Sequence, residues 1–148
     1  MADIITRIIP VKYDYIADET KIKAATAYIK EIIPDCQIGV EVFETIQFVD
    51  CGGELEEIKC PNCGKSISFD WWGEVMETAA EKEFSDLSVK LPCCGGDSSL
   101  NDLEYHLPCG YARMEITIMN PETELRENEI VKIGKLLGEK VRIIFARY

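Results

Sequence analysis

The sequence predicts an α+β protein: a ferredoxin-like βαββαβ sheet that carries a zinc ribbon and a helix as an insertion between its second and third strands. Two observations lead to this prediction. The residues before 50 and after 110 each follow the order strand, helix, strand, and the stretch between them contains two close pairs of cysteines. We therefore expect a ferredoxin-like domain over residues 1–49 and 111–148, with an inserted zinc-binding module over residues 50–110.

The first part of the expected sheet domain contains a strand, a helix and a second strand. Apolar and polar residues alternate along residues 9–15, as on a half-buried strand. Asp18 can cap a helix whose apolar residues recur at three- and four-residue spacing, and Pro34 stops this run. Residues 40–48 alternate again and predict the second strand. Its apolar positions are Val40, Val42, Ile46 and Phe48.

The second part repeats the same order. Residues 113–118 alternate between apolar and polar side chains, and Asn120 followed by proline breaks the pattern. A helix with inward apolar residues is expected over residues 125–137, and Gly138 suits its C-cap. Residues 141–148 predict the last strand.

The stretch between the two parts has elements of its own. Residues 58–69 predict a hairpin, and Asp70 can cap a helix that runs to about Phe84. A short strand is expected over residues 87–91, and Ser99 can cap one turn after it.

Two cysteine clusters predict a metal site in this stretch: C-P-N-C-G at residues 60–64 and P-C-C-G at residues 92–95. In a C-x-x-C knuckle a tight turn directs backbone N–H groups at the sulfurs, and glycine permits the positive φ of that turn. The adjacent cysteines of the second cluster require a kink between them. Four thiolates select zinc and leave no open coordination position, so the ion is expected to be structural. The predicted ligands of this single zinc ion are Cys60, Cys63, Cys93 and Cys94.

Other ligands remain open from the sequence alone. Cys51 and Cys109 each precede a glycine, and His106 is the only histidine, so any of them could replace an assigned ligand. A turn residue or a small buried side chain is the interpretation we favour for each. Iron could also take the place of zinc, as in a rubredoxin-like electron-transfer site. Such sites pair two C-x-x-C knuckles, and the second cluster departs from that layout.

The net charge of the chain limits the classes of partner that it is expected to bind. The formal charge is −11 and the pI is about 4.6, which disfavours direct binding to nucleic acid and to anionic membranes. Residues 51–110 hold twelve acidic and four basic residues. Glu74, Glu77 and Glu81 form a stripe on the predicted helix, which a basic protein partner would complement. A solvated helix face is the plain alternative.

The sequence also predicts a cytoplasmic protein. The first residues lack a basic region followed by an apolar run of signal-peptide length, and no stretch approaches the ~20 apolar residues of a membrane span. Cysteines stay reduced in the cytosol, and seven cysteines fit a disulfide framework poorly. The oligomeric state is left open by these observations.

We expect no enzyme activity, because the chain has one histidine, no phosphate-binding loop and no nucleophile elbow. The favoured function is protein–protein interaction, for example an immunity or inhibitor protein that neutralises a basic toxin. The alternatives are a zinc-ribbon accessory factor of translation or transcription, or an enzyme of unknown type. The basic residues that nucleic acid would require are scattered over separate predicted elements. The richest set is Arg113, Lys132, Lys135, Arg142 and Arg147.

The motifs of residues 48–148 resemble a group of small, largely uncharacterised bacterial zinc-ribbon proteins. The shared pattern is C-P-x-C-G, two tryptophans in a helix, P-C-C-G, S-L-N-D-L-x-Y, G-[FY]-A-R and a terminal A-R-Y. Here these motifs are residues 60–64, 71–72, 92–95, 99–105, 110–113 and 146–148. The resemblance implies the four zinc ligands named above and brings no established activity. Cys51 and Cys109 fall outside the pattern.

Overall fold

The computed structural model describes residues 3–50, 55–106, 109–121 and 123–147. The helices are α1 (Glu19–Ile32), α2 (Phe69–Glu81) and α3 (Glu127–Leu137). The strands are β1 (Ile4–Pro10), β2 (Gln37–Val49), β3 (Glu57–Lys59), β4 (Ser88–Lys90), β5 (Asp97–Ser99), β6 (Glu104–His106), β7 (Gly110–Met119) and β8 (Val141–Arg147). A 3-10 turn, Leu100–Asp102, lies between β5 and β6. The predicted mixture of helices and strands is confirmed.

Four strands form one antiparallel sheet in the order β2-β7-β1-β8. β1 pairs with β7 and with β8, and β7 pairs with β2, each time antiparallel. Between β2 and β7 along the chain, β3 pairs with β6 and β4 pairs with β5. The strands expected before residue 50 and after residue 110 therefore share one sheet. The short strands between them form two small antiparallel sheets.

The first strand lies earlier than the sequence predicts. We expected residues 9–15 from their alternation, whereas β1 ends at Pro10 and a turn follows it. β1 is an inner strand of the sheet, and Ile8 and Ile9, which point to opposite faces, are both almost fully buried. A strand that is buried on both faces shows no alternation of apolar and polar residues. The proline ends β1 because it has no N–H to donate to a further pairing.

The helices α1 and α3 pack against one face of the sheet, and two of their caps confirm the sequence prediction. The Asp18 carboxylate accepts a hydrogen bond from the Lys21 N–H at 2.9 Å at the start of α1. Gly138 adopts a left-handed φ of 88° at the end of α3. The core between the helices and the sheet includes Ala25, Ile29, Met114, Ile116, Ile118, Ile133 and Leu137.

The opposite face of β7 carries a buried ion pair. Glu115 occupies a polar position of the predicted alternation, yet it is only 5% exposed. Arg7 Nη1, on the neighbouring β1, donates to both carboxylate oxygens of Glu115 at 3.0 Å. A buried carboxylate needs such a partner, because an unpaired charge away from water is strongly destabilising. The charge of Glu115 is thus compensated by Arg7, which strand pairing brings close, and not by a neighbour in the sequence.

The second strand, β2, lies at the edge of the sheet and departs from its predicted pattern. Its register with β7 shifts between Val42 and Gln47, which marks a bulge. Val40 and Val42 are 44% and 50% exposed, whereas Ile46 is buried. The apolar residues predicted for this strand are therefore not all buried. Val40 and Val42 remain exposed because no further strand of the described chain lies on the outer side of β2.

The segment between β2 and β7 folds around a second apolar core that includes Ile58, Ile67, Leu87, Leu91, Leu100 and Tyr111. The predicted hairpin around the first cysteine cluster is present: the Ile67 N–H donates to the Ile58 carbonyl at 2.7 Å, and Lys59 bridges to Ser66. The expected strand over residues 87–91 appears as β4.

The cap of α2 corrects the sequence prediction. Ser68, rather than Asp70, is the N-cap, and Ser68 Oγ accepts a hydrogen bond from the Asp70 N–H at 3.1 Å. The helix ends at Glu81 and does not reach Phe84, because Glu83 and Phe84 adopt φ values of 54° and 57° that no right-handed helix contains. Serine and aspartate are both good N-caps, so composition alone does not choose between neighbouring candidates.

Asn101 and Arg142 join the segment between β2 and β7, which we call the inserted segment, to the sheet. Arg142 Nη1, on β8, donates to the Asn101 side-chain oxygen at 3.3 Å and to the Cys109 carbonyl at 3.2 Å. The Asn101 amide donates to the Val11 carbonyl at 3.0 Å, and its oxygen accepts from the Tyr111 N–H at 3.3 Å. Asn101 is buried, so a single side chain connects β8, the residue after β1 and the start of β7 away from water.

Aromatic side chains also join the inserted segment to the sheet. Tyr111 of β7 is fully buried in the second core, with its ring centroid 5.2 Å from that of Phe48 and 5.7 Å from that of Phe84. Burial raises the pKa of Tyr111, and it raises the pKa of Tyr105 to about 12. Both phenols therefore stay protonated at neutral pH, and the Tyr105 hydroxyl donates to the Leu100 carbonyl at 2.6 Å. The second core is thus built partly on the sheet.

Replacement of Asn101 by alanine should lower the free energy of unfolding by about 1–3 kcal/mol, because it leaves the Val11 carbonyl and the Tyr111 N–H without their partner. The measurement is chemical denaturation of the purified protein. Glu104→Ala, an exposed change nearby, is the control and should stay within about 0.5 kcal/mol of the wild type. Equal stability of the two variants would contradict the role of Asn101 as a junction.

Candidate metal centre

The four predicted ligands converge at one place in the structure. The Sγ atoms of Cys60, Cys63, Cys93 and Cys94 all lie within 4.8 Å of one another. Cys60 Sγ is 3.8 Å from Cys94 Sγ, and Cys63 Sγ is 3.3 Å from Cys93 Sγ. A tetrahedral zinc ion with Zn–S bonds of ~2.3 Å would separate its sulfurs by about 3.8 Å. The four side chains therefore fit around one such ion.

The first knuckle is a tight turn closed by backbone hydrogen bonds. The Gly64 N–H donates to the Cys60 carbonyl, and the Cys60 N–H donates to the Lys65 carbonyl, both at 2.9 Å. Gly64 has a φ of 75°, where a side chain would strain the turn. The Asn62 and Cys63 N–H groups both point at Cys60 Sγ, 3.4 Å away. This is the arrangement that the C-P-N-C-G spacing predicts.

The second knuckle repeats the turn of the first but places one cysteine differently. The Gly95 N–H donates to the Leu91 carbonyl at 3.0 Å, and the Leu91 N–H donates to the Gly96 carbonyl at 2.8 Å. Gly95 has a φ of 69°. By these bonds Leu91 occupies the position that Cys60 holds in the first knuckle, and Cys94 corresponds to Cys63.

The remaining cysteine of the second knuckle supplies the missing ligand. Leu91 is buried in the second core and offers no sulfur. Cys93, at the position that corresponds to Asn62, instead lies next to Cys63 Sγ. The adjacent pair in P-C-C-G can thus provide two ligands, because the turn between β4 and β5 directs both side chains toward the first knuckle.

The two knuckles fit closely against each other. A Cβ atom built on Gly96 would lie 2.8 Å from the Asn62 side-chain nitrogen and 3.5 Å from Cys94 Sγ, so only glycine fits there without a shift. The sequence alone suggests that the Gly95-Gly96 pair permits the kink between Cys93 and Cys94, and it assigns no role to Asn62. The close contact at Gly96 has one sign in the sequence: a second glycine follows Gly95, although one glycine is enough for the turn itself.

The four thiols differ in their electrostatic environment. Burial opposes ionisation of Cys60, but the backbone N–H groups of Cys63 and Asn62 outweigh it and lower the pKa of Cys60 to about 7. The hydrogen bond with Cys63, together with burial, raises the pKa of Cys93 to about 12. Zinc binds thiolates, so binding must displace the proton that Cys93 holds at neutral pH.

The other candidate ligands lie elsewhere. His106 is exposed on β6, opposite Glu57. Cys109 is buried beside Ile9, Ala112 and Ile144, on the sheet rather than at the knuckles. Cys51 lies outside the described residues. Among the described residues, the group with metal-ligand geometry is therefore the four-cysteine cluster.

Two further sequence features have a definite place. Cys36 is a buried thiol whose Sγ donates to the Ile33 carbonyl at 2.9 Å. Glu74, Glu77 and Glu81 are all exposed on α2. The apolar residues spaced along the other side of this helix are Trp72, Met76, Ala79 and Ala80, and all except Ala80 are half-buried or buried. The acidic side of α2 thus faces solvent.

Substitution of Cys60 or Cys63 by serine should reduce bound zinc from one ion per chain to a small fraction, since both removed thiols belong to the cluster. The measurement is elemental analysis of the purified variants. Cys36→Ala is the matched control, because it removes a buried thiol outside the cluster and should leave the zinc content unchanged. Unchanged zinc in both serine variants would refute the site.

Chelation of zinc should release the knuckles while the sheet stays protected. Zinc binding contributes on the order of 10–16 kcal/mol in zinc-finger peptides, which is comparable to the whole stability of a typical domain. Hydrogen exchange followed by mass spectrometry should therefore show faster exchange at residues 57–69 and 88–99, with little change in α1 and α3. The same exchange pattern with and without zinc would contradict a structural role for the ion.

No family model matches the chain, and comparison with the curated proteins and the solved structures also finds no match. The resemblance to zinc-ribbon proteins therefore stays a prediction that rests on the motifs. No helix in the described part of the chain is long and apolar enough to cross a membrane.

Proposed function

We propose that this protein holds one structural zinc ion and acts, without catalysis of its own, by binding a basic protein partner. The observation that carries this proposal is an acidic segment in which four cysteine thiols converge within 4.8 Å of one another. A zinc ion with four protein ligands has no open position for a substrate, so it can order the segment but not take part in a reaction. Function then rests on the surface that the ion helps to shape.

The choice of zinc rests on the chemistry of the ligands. Thiolates are soft ligands, and a tetrahedral set of four selects zinc or iron over magnesium and calcium. The adjacent Cys93 and Cys94 differ from the two C-x-x-C knuckles of rubredoxin-like iron sites. We therefore assign zinc, and a colourless purified protein with one zinc per chain is the expected result.

The scaffold of the proposed function is a ferredoxin-like sheet. Its support is the sheet order β2-β7-β1-β8, in which all neighbouring strands are antiparallel. α1 connects β1 to β2, and α3 connects β7 to β8, as in a split βαβ pattern. The metal-binding segment then enters between the second and third strands of this pattern, at residues 50–110.

The acidic side of α2 is the proposed contact surface. Glu74, Glu77 and Glu81 are exposed, and none of them takes part in the ion pairs seen among the described residues. Carboxylates that have no internal cation can pair with lysine and arginine of a partner, and a field of one sign accelerates association. One specific form of the proposal is an immunity or inhibitor protein that covers the basic cleft of a toxin such as a nuclease.

The basic residues of this protein support a protein partner over nucleic acid. Arg113 donates to the Phe43 carbonyl through Nε and Nη2, at 3.2 and 2.9 Å. Arg142 donates to Asn101 and to the Cys109 carbonyl. Two members of the richest basic set are thus engaged within the fold, where they cannot also neutralise phosphates. An accessory factor of translation or transcription would therefore act through protein contacts.

Reversal of charge on α2 tests the proposal directly. After affinity capture identifies a basic partner, Glu74→Lys with Glu77→Lys should slow its association at least about tenfold at low salt, because steering depends on the local field. The control is Glu31→Lys with Glu124→Lys, which gives the same change in net charge at exposed positions of other segments. Both double variants should keep one zinc per chain. Equal association rates would reject α2 as the contact surface.

A further inference from the structure

The outer side of β2 is the least protected backbone edge of the sheet. β2 is thirteen residues long and stands at one end of the strand order, with no strand of the described chain on its outer side. Natural proteins protect such edges with charged residues, above all lysine, and with proline and bulges. β2 has two glutamates and a bulge after Val42. Residues 37–49 contain neither proline nor a basic residue, and Val40 and Val42 are about half exposed.

We propose that β2 is a homodimer interface, in which residues 37–43 of two copies pair antiparallel about Val40 and join the two sheets into one of eight strands. The bulge between Val42 and Gln47 limits the regular part of the strand to this segment. Oligomers of identical chains are most often two-fold symmetric, and such symmetry requires a surface that is complementary to itself. Two copies of β2 can therefore pair only in a register that sets complementary side chains opposite each other.

A register centred on Val40 is self-complementary on the face that carries the helices. Ile38, Val40 and Val42 lie opposite Ile118, Ile116 and Met114 of β7 and so share that face of the sheet. In a pairing about Val40, this residue meets the Val40 of the second copy, and Ile38 meets its Val42. Three apolar cross-strand contacts result, and pairs of this kind stabilise neighbouring strands.

The same register also avoids repulsion on the other face. Gly39 would lie opposite Glu41 of the second copy, so that no two like charges meet on this face. A register centred on Glu41 would instead place two carboxylates directly opposite each other, which is destabilising. A shift by a single residue would set Val40 against Glu41. Between the registers centred on residues 40 and 41, charge thus favours the pairing about Val40.

The other edge of the sheet provides a comparison. β8 is seven residues long and is flanked by Lys140 and ended by Arg147, so its sequence carries the basic residues that discourage edge pairing. Phe145 on β8 is 44% exposed, the same fraction as Val40. A lysine at Phe145 therefore matches a lysine at Val40 in exposure, strand type and charge.

The first experiment measures the mass of the full-length, zinc-loaded protein in solution by light scattering and sedimentation equilibrium. We expect twice the chain mass of 16.7 kDa for the wild type and for Phe145→Lys. Val40→Lys, which would set two lysines opposite each other, should raise the dimer dissociation constant at least about tenfold. Zinc content and circular dichroism confirm that each variant is folded. A monomeric wild type at 100 µM, or a dimer that Val40→Lys does not weaken, would overturn the proposal.

A second experiment tests the register. With Val40→Cys, the two new thiols would face each other across the two-fold axis, within the ~4.4–6.8 Å between Cα atoms that a disulfide needs. Mild oxidation should then give a covalent dimer linked through position 40. In Val42→Cys the two new thiols would be four residues apart along the strands, about 14 Å, and should not link. Cross-linking of both variants, or of Val42→Cys alone, would contradict the pairing about Val40. The outcome does not depend on the proposed basic partner.

Discussion

The convergence of four thiols from two separate turns is the constraint on which the inserted segment depends. Thiolates within 4.8 Å of one another repel, and a divalent cation between them turns that repulsion into attraction. The turns themselves are held by backbone hydrogen bonds and by glycines with positive φ. Each knuckle is therefore shaped locally, and the core beneath them brings the two together at a place where one metal ion could join them.

A small number of residues connect the inserted segment to the sheet. Tyr111 belongs to β7 but is buried in the core of the inserted segment. Asn101 belongs to that segment but accepts a hydrogen bond from Arg142 of β8. The two parts thus share side chains instead of meeting at an exposed linker. Shared buried hydrogen bonds fix the orientation of the inserted segment, because any rotation would leave polar groups unsatisfied away from water.

The two proposed surfaces use different physics. The acidic side of α2 would act through long-range charge, which speeds encounter with a basic protein and is screened by salt. The edge of β2 would act through backbone hydrogen bonds and apolar side chains, whose range is short and whose specificity comes from register. The two surfaces belong to different elements, α2 in the inserted segment and β2 in the main sheet.

The sequence by itself determined the features that depend on neighbours along the chain. The caps at Asp18 and Gly138, the helical periodicity of α1 and α3, and the knuckle at residues 60–64 all follow from residues a few positions apart. The four cysteines could be predicted as one site because glycines and prolines mark both turns. Local chemistry of this kind is readable without knowledge of the fold.

Tertiary structure alone decided the rest. β1 could not be placed correctly, because the burial of both its faces depends on the strands beside it and the layers above and below. Glu115 is tolerated in the interior because the Arg7 side chain reaches it from the neighbouring strand, and Asn101 is a junction because Arg142 reaches it from β8. These partners are 108 and 41 residues apart in the chain. No local pattern records such pairings, since the energy that fixes them arises only when the sheet has formed.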